Sequence, residues 1–260
     1  MADVYDCHLH TEFSGDAELK LSWVLANAPR LGLAGVCPTE HFDPAPTEYR
    51  FLNTDLEGMF RRHRRLISEP HPVALGIGLE VTYRPENEDE TRHLLAAHHY
   101  DLVIGAVHDI DGLYLREWLQ NQSPRYSLRE RLAPFFALTA DMVHSGLFRV
   151  IGHIDYVKRY VPGLAGDTLV AMFHDEYAEI LSALVAQGGL LEINLAGLRH
   201  DLKEPYPSKA VLDLYRDLGG KTVTIGSDAH SPRHYEIPLT HGLAIAQTAG
   251  LRVIDWRSLP

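Results

Sequence analysis

Along this chain, short runs of apolar residues alternate with longer stretches in which apolar positions recur every three or four residues. The short runs read as strands and the longer stretches as amphipathic helices. Strand-like runs fall at 4–8, 34–39, 73–81, 102–107, 149–154, 190–194 and 222–226, with a remnant eighth at 251–254. Helical stretches lie between them at 21–31, 54–68, 88–100, 127–145, 169–187, 208–218 and 238–249. Strands alternating with helices predict a parallel sheet. With no Ser/Gly/Pro-rich linker in residues 1–260, the pattern predicts a single-domain α/β barrel whose site lies at the C-terminal ends of its strands. The alternative, an open doubly wound sheet, would leave residues on its edge strands too far apart to share one cluster.

Side chains that bind metals fall at those strand ends. His8 and His10 follow the first strand, and His41, Glu80, His108 and His153 stand singly at the ends of later ones. Asp228 and His230 follow the seventh. His8 and His10 are two apart on a strand, so both point to the same side. Asp16 lies in the next loop, Phe13-Ser14-Gly15-Asp16-Ala17. The pattern reads as one polynuclear metal centre at the barrel rim. Imidazole with carboxylate suits zinc, iron or manganese. Three carboxylates facing three divalent ions leave a net charge of about +3, which attracts a phosphate dianion.

Of the sixteen histidines, His63, His93, His98, His99, His144 and His174 fall in predicted helices and read as surface or packing residues. His71, His200, His234 and His241 lie in loops or near helix starts, with His200 and His234 near the expected rim. Cys7 alternates away from His8 and His10, and it and Cys37 read as small buried hydrophobes. Asp155 and Asn194, also at strand ends, are expected to orient ligands. The chain shows neither a complete phosphate-binding glycine loop nor a Gly-x-Ser-x-Gly elbow.

The formal net charge of −11 argues against a nucleic-acid partner. The one basic cluster, Arg61-Arg62-His63-Arg64-Arg65, reads as a solvated helix face. The start MADVYDCHLH lacks a signal peptide's basic and apolar regions, and no apolar run is long enough to span a bilayer. Two cysteines cannot build a disulfide framework, so a cytoplasmic location is expected. Oligomeric state is not legible.

Taken in order, His8-Leu9-His10 with the Asp16 loop, Thr39-Glu40-His41, Gly78-Leu79-Glu80, Ala106-Val107-His108, Gly152-His153-Ile154-Asp155 and Gly226-Ser227-Asp228-Ala229-His230 resemble the successive motifs of the PHP superfamily. The stretches GHIDYVKRY (152–160) and LEINLAGLR (191–199) are most similar to its histidinol-phosphate phosphatases. Asp16, where other members have a histidine, favours the same branch. The resemblance implies a distorted (β/α)7 barrel with three divalent ions. His8, His10, Glu80 and Asp228 would hold one; Glu80, as a bridge, His108 and His153 the second; Asp16, His41 and His230 the third. Arg159 and Arg199 match the residues that grip the substrate phosphate. The segment Asp109-Ile110-Asp111-Gly112-Leu113-Tyr114 departs from the more aromatic loop of these phosphatases and is expected to shape the pocket for the leaving alcohol.

The implied reaction is hydrolysis of L-histidinol phosphate to L-histidinol and phosphate, a step of histidine biosynthesis, by a metal-bridging hydroxide. Arg159 and Arg199 would share the phosphoryl charge with the metals. His230 or Asp228 would protonate the leaving alkoxide. The competing readings are a PHP phosphoesterase for a sugar phosphate, nucleotide or phosphotyrosine, an amidohydrolase barrel, and a non-catalytic metal-binding module. The amidohydrolase reading is disfavoured because the bridging carboxylate, Glu80, is on the third strand rather than the fourth. The complete ligand set disfavours the non-catalytic module.

Overall fold

The computed structural model describes residues 3–44, 56–67 and 69–259. Its first third comprises β1 (Val4–Asp6), α1 (Leu21–Asn27), β2 (Leu33–Val36), β3 (Thr39–Phe42), α2 (Leu56–Ile67), β4 (Ala74–Leu75) and β5 (Gly78–Thr82). Then come α3 (Glu88–Ala97), β6 (Leu102–Ala106), β7 (Asp109–Ile110), β8 (Leu113–Tyr114), α4 (Leu115–Asn121), α5 (Leu128–His144) and β9 (Val150–Ile151). The chain finishes with α6 (Gly166–Met172), α7 (His174–Ala186), β10 (Leu190–Asn194), α8 (Lys209–Asp217), β11 (Thr222–Gly226), α9 (Thr240–Thr248) and β12 (Arg252–Val253).

β1, β2 and β4 form one sheet, and β12, β11, β10, β9, β6, β5 and β3 form another, in that order. Every neighbouring pair in both is parallel. They are two parts of one ring. The strand expected over 34–39 breaks at Cys37-Pro38, where proline has no N–H to donate. The strand expected over 73–81 breaks at Gly76-Ile77. Their first halves, β2 and β4, lie beside β1, and their second halves, β3 and β5, join the larger sheet. The chain just after β1 bonds in both directions. Cys37 N donates to Asp6 O (2.8 Å) and Thr39 N to Leu9 O (2.9 Å) on one side; Cys7 N donates to Ile225 O (2.9 Å) and His10 N to Ala229 O (2.9 Å) on the other. The barrel closes with seven strand positions, which excludes the open sheet. β12, the remnant strand, pairs with β11 through Thr222–Arg252 and Val223–Val253.

Two other segments depart from the periodicity. The helix expected over 169–187 is split into α6 and α7 at Phe173, which leaves helical geometry (φ −128°, ψ 35°). Its buried ring stacks on Phe136 at 4.0 Å, so core packing outweighs one more helical turn. After β6, the chain makes a hairpin and a short helix before α5. Asp111 and Gly112 both have positive φ (52° and 75°) between β7 and β8, which suits a tight two-residue hairpin turn. The helix expected over 54–68 is seen as α2, with positions 54, 55 and 68 outside the described residues. Cys7 and Cys37 are buried in an apolar cluster with Ile104, Val150 and Trp256, as expected. No helix among the described residues is long and apolar enough to cross a membrane.

α5 starts with a capping box: Ser127 Oγ accepts from Glu130 N (3.2 Å), while the Glu130 carboxylate accepts from Ser127 N (2.8 Å). Ser127→Ala should lower the unfolding free energy by about 1 kcal/mol, measured by denaturant titration.

Candidate metal centre

All nine proposed ligands converge on the rim where strands end. Glu80, on β5, lies in register with His41 on β3 and is buried. Around it stand His153 Nε2 (2.7 Å), His41 Nδ1 (3.1 Å), and His8, His10 and His108 through Nε2, each at 3.4 Å. Asp228 Oδ1 is 3.9 Å from His8 Nε2 and 3.6 Å from His10 Nε2. His108 and His153 bring their Nε2 atoms within 3.4 Å of one another. Asp16 Oδ2 sits between His41 Nε2 (3.5 Å) and His230 Nε2 (3.3 Å). The three groupings implied by the family motifs lie side by side and overlap: His10 also clusters with His41 and His230, and His41 with Glu80 and His108. The backbone has positive φ at His153 (20°) and Asp228 (52°), so the chain bends sharply at two strand ends that carry these side chains.

The donor set fits divalent ions. Glu80 Oε2 is buried without a hydrogen bond while imidazole nitrogens surround it. Burial alone would raise the Glu80 carboxyl, but His8 and His108 hold it well below the usual carboxylate range. Burial would likewise lower His8 and His41, yet the carboxylates around them hold both well above the ordinary histidine value. His10 goes the other way, pushed well down by burial and by the charges of His41 and His230. The protons held on His8 and His41 occupy positions that divalent ions would take, so ion uptake must displace them.

A second layer aims the rings. His8 Nδ1 meets Glu192 Oε1 at 2.6 Å, His10 Nδ1 meets Ser14 Oγ at 3.3 Å, and His108 Nδ1 meets Thr82 Oγ1 at 2.8 Å. Each contact leaves Nε2 facing the centre. Asn194 Nδ2 donates to Asp228 Oδ2 (3.2 Å), as expected of an orienting residue. Asp155 departs from that expectation. The chain bends at His153, and Asp155 Oδ2 instead accepts from Lys158 Nζ (2.7 Å) and Ser208 N (2.8 Å), holding a rim loop. His234 Nδ1 accepts from His230 N (3.0 Å). Sequence reasoning missed Glu192 and Glu40. Glu192 could have been noticed as the charged residue inside the apolar strand LLEIN, and Glu40 lies inside a motif already singled out.

A cavity of about 440 Å³ opens over the cluster, lined also by Tyr114, Tyr156, Arg159, Arg199 and His200. Arg199 donates to Ser227 O and Asp228 O, both at 2.8 Å, which fixes its planar fork beside the proposed ligands. Arg159 donates to Tyr156 Oη (2.6 Å) and lies over the Tyr156 and Tyr160 rings at 5.5 Å. Tyr114, from the hairpin, places that segment at the cavity wall, as expected.

The chain belongs to the PHP domain family, whose model matches residues 6–196. It is 27% identical over 256 residues to the "Probable histidinol-phosphatase" of Clostridium acetobutylicum, covering 96% of each chain. It is also 27% identical to the histidinol-phosphatase of Lactococcus lactis, over 94% of this chain and 91% of that one. The fold matches the crystal structure of the Lactococcus lactis histidinol phosphate phosphatase, complexed with zinc, L-histidinol and phosphate. The TM-score is 0.84 at 24% identity, covering 97% of this chain and 95% of the other.

Glu80→Gln should lower the zinc retained per chain after dialysis, measured by elemental analysis, whereas His93→Ala, on an exposed helix face, should leave it unchanged. Because His8 and His41 hold protons above the usual histidine value of about 6.5, zinc binding at neutral pH should release protons. Calorimetry in buffers of different ionisation enthalpy measures that release, and affinity should fall as the pH falls.

Proposed function

We propose that this chain hydrolyses L-histidinol phosphate to L-histidinol and phosphate, with three divalent ions held by His8, His10, Asp16, His41, Glu80, His108, His153, Asp228 and His230. The observation that carries this reading is one cavity lined by seven of those nine side chains and two anchored arginines, with the other two, His8 and His10, buried against Glu80 and Asp228. Full-length likeness to proteins named for this activity supports it. Zinc is the ion to supply first, since the Lactococcus lactis enzyme was crystallised with it; the donors also suit iron and manganese.

Ions bound there supply Lewis acidity for the phosphoryl oxygens and a water deprotonated near neutral pH. The chain's own groups do the rest. Asp16 and Asp228, which burial alone would raise, are held below the usual carboxylate range by neighbouring histidines. Both therefore stay anionic at neutral pH, as ligands must. Arg199, tied to the main chain at Ser227 and Asp228, presents the rest of its fork to the phosphate without having to be ordered first. Arg159, braced by Tyr156, faces the same cavity. Of the two groups considered for protonating the leaving alkoxide, an ionised Asp228 has no proton to give. Tyr114, at the end of the β7–β8 hairpin, lines the same cavity.

The zinc-loaded protein should release phosphate from histidinol phosphate with higher kcat/KM than from a sugar phosphate, a nucleotide or a phosphotyrosine. Complete chelation should abolish that release. Equal rates across the panel would overturn the substrate, and activity surviving complete metal removal would overturn the mechanism. Arg199→Ala removes a charge-assisted contact worth about 1.5–3 kcal/mol and should cost roughly 10- to 100-fold in kcat/KM.

A further inference from the structure

Glu192 is fully buried in the middle of β10, a strand whose five residues are all buried. A carboxylate in such a place needs partners for both oxygens. Oε1 meets His8 Nδ1 at 2.6 Å. Oε2 accepts from His153 N (3.2 Å) and from Asn194 Nδ2 (3.2 Å). Asn194 Nδ2 also donates to Asp228 Oδ2 (3.2 Å), and the amide is oriented by Ala196 N, which donates to Oδ1 at 2.9 Å. One carboxylate therefore contacts the His8 ring, the His153 main chain and the Asn194 amide, which in turn reaches Asp228.

A neighbouring glycine makes room for it. A Cβ on Gly226 would stand 2.2 Å from Glu192 Oε1. Gly226 opens the motif segment that carries Asp228, and its small size is thus matched to a carboxylate that lies outside that motif.

We propose that Glu192 is a positioning residue that couples two of the three metal positions, aiming His8 through one oxygen and, through the other, fixing the main chain that carries His153 and orienting Asp228 by way of Asn194. This rests on the reading of those three residues as ligands given above. The third position, at Asp16, His41 and His230, is braced differently. Ser14 Oγ accepts from His41 N (3.1 Å) and donates to another buried carboxylate, Glu40 Oε2 (2.6 Å).

Replacing Glu192 by glutamine exposes the difference. If the amide nitrogen faces His153 N and Asn194 Nδ2, donors oppose donors. If it faces His8 instead, Nδ1 must accept, which moves the ring proton to Nε2, the atom turned toward the centre.

The test loads wild type, Glu192→Gln, Glu40→Gln and His8→Ala with zinc and equilibrates crystals with graded chelator. Anomalous peak heights report occupancy at each position, and thermal unfolding of the metal-free proteins reports folding. For Glu192→Gln, the chelator concentration for half-release should fall about 10- to 100-fold at the His8 and His153 positions and remain at the wild-type value at the Asp16 position. Glu40→Gln should loosen the Asp16 position and leave the His153 position unchanged. Equal loosening of all three positions in Glu192→Gln, or wild-type retention at all three, would overturn the proposal. Wild-type retention in His8→Ala would instead overturn the ligand reading beneath it. Should Glu192→Gln fail to fold, Glu192→Asp keeps the charge but withdraws both oxygens by one methylene. It should loosen the same two positions, and wild-type retention there would again overturn the coupling.

Discussion

Everything at the rim depends on the short segment after β1 forming backbone hydrogen bonds in two directions at once. Asp6 O and Leu9 O accept from the second strand position, while Cys7 N and His10 N donate to the seventh. A barrel removes the edges of its sheet only if its first and last strands meet. Here they meet at the residues that carry His8 and His10, and Asp228 N also donates to His8 O (2.7 Å) across the seam. Asp6 strengthens the closure from below. Its buried carboxylate accepts from Ser227 N (2.9 Å), Ser227 Oγ (2.6 Å) and Tyr235 Oη (2.8 Å). The step that completes the fold is also the one that brings the first and last ligand pairs together.

That closure gathers charges that would not otherwise share a buried space. Glu80 has one oxygen without a hydrogen bond, facing His10 and His41, imidazoles that differ in how readily they take a proton. Isolated charges are costly to bury and are stabilised by partners of opposite sign. The protein supplies carboxylates to hold some rings protonated, and divalent ions would supply the same positive charge more permanently. The chain as a whole carries −11, yet with divalent ions bound beside its two arginines the cavity would present positive charge to a phosphate.

The arginines are constrained in different ways. Arg199 is held by main-chain carbonyls on the segment that carries Asp228, so the proposed phosphate grip is tied to the proposed metal cluster. Arg159 depends on aromatic rings and a tyrosine hydroxyl, and its loop is held by the buried Lys158, which bonds Asp155 and Pro205 O (2.9 Å). Residues remote from the reacting atoms thereby set the geometry of those that face them.

Much of this was legible in the chain itself. β10 and β11 have the bounds that periodicity predicts, because each is a short run, buried but for Thr222, that closely follows a glycine pair. The nine ligand candidates were legible because side chains of their type recur at strand ends. Other features were not. The breaks at Cys37-Pro38 and Gly76-Ile77 arise from pairing with two different neighbours, which no local pattern reports. The bend at Phe173 comes from its stacking on Phe136, a residue far away in sequence. Asp155 looked like an orienting residue because it follows a strand, but the turn at His153 sends it to the 204–208 loop. The sequence by itself determined which residue types were available and in what order along alternating strands and helices, since local periodicity and spacing are properties of the chain. Only the tertiary structure decided which of them meet, that Glu192 lies beneath three of the proposed ligands and that the ring closes at His8, because hydrogen-bond partners and burial are set by segments distant in sequence.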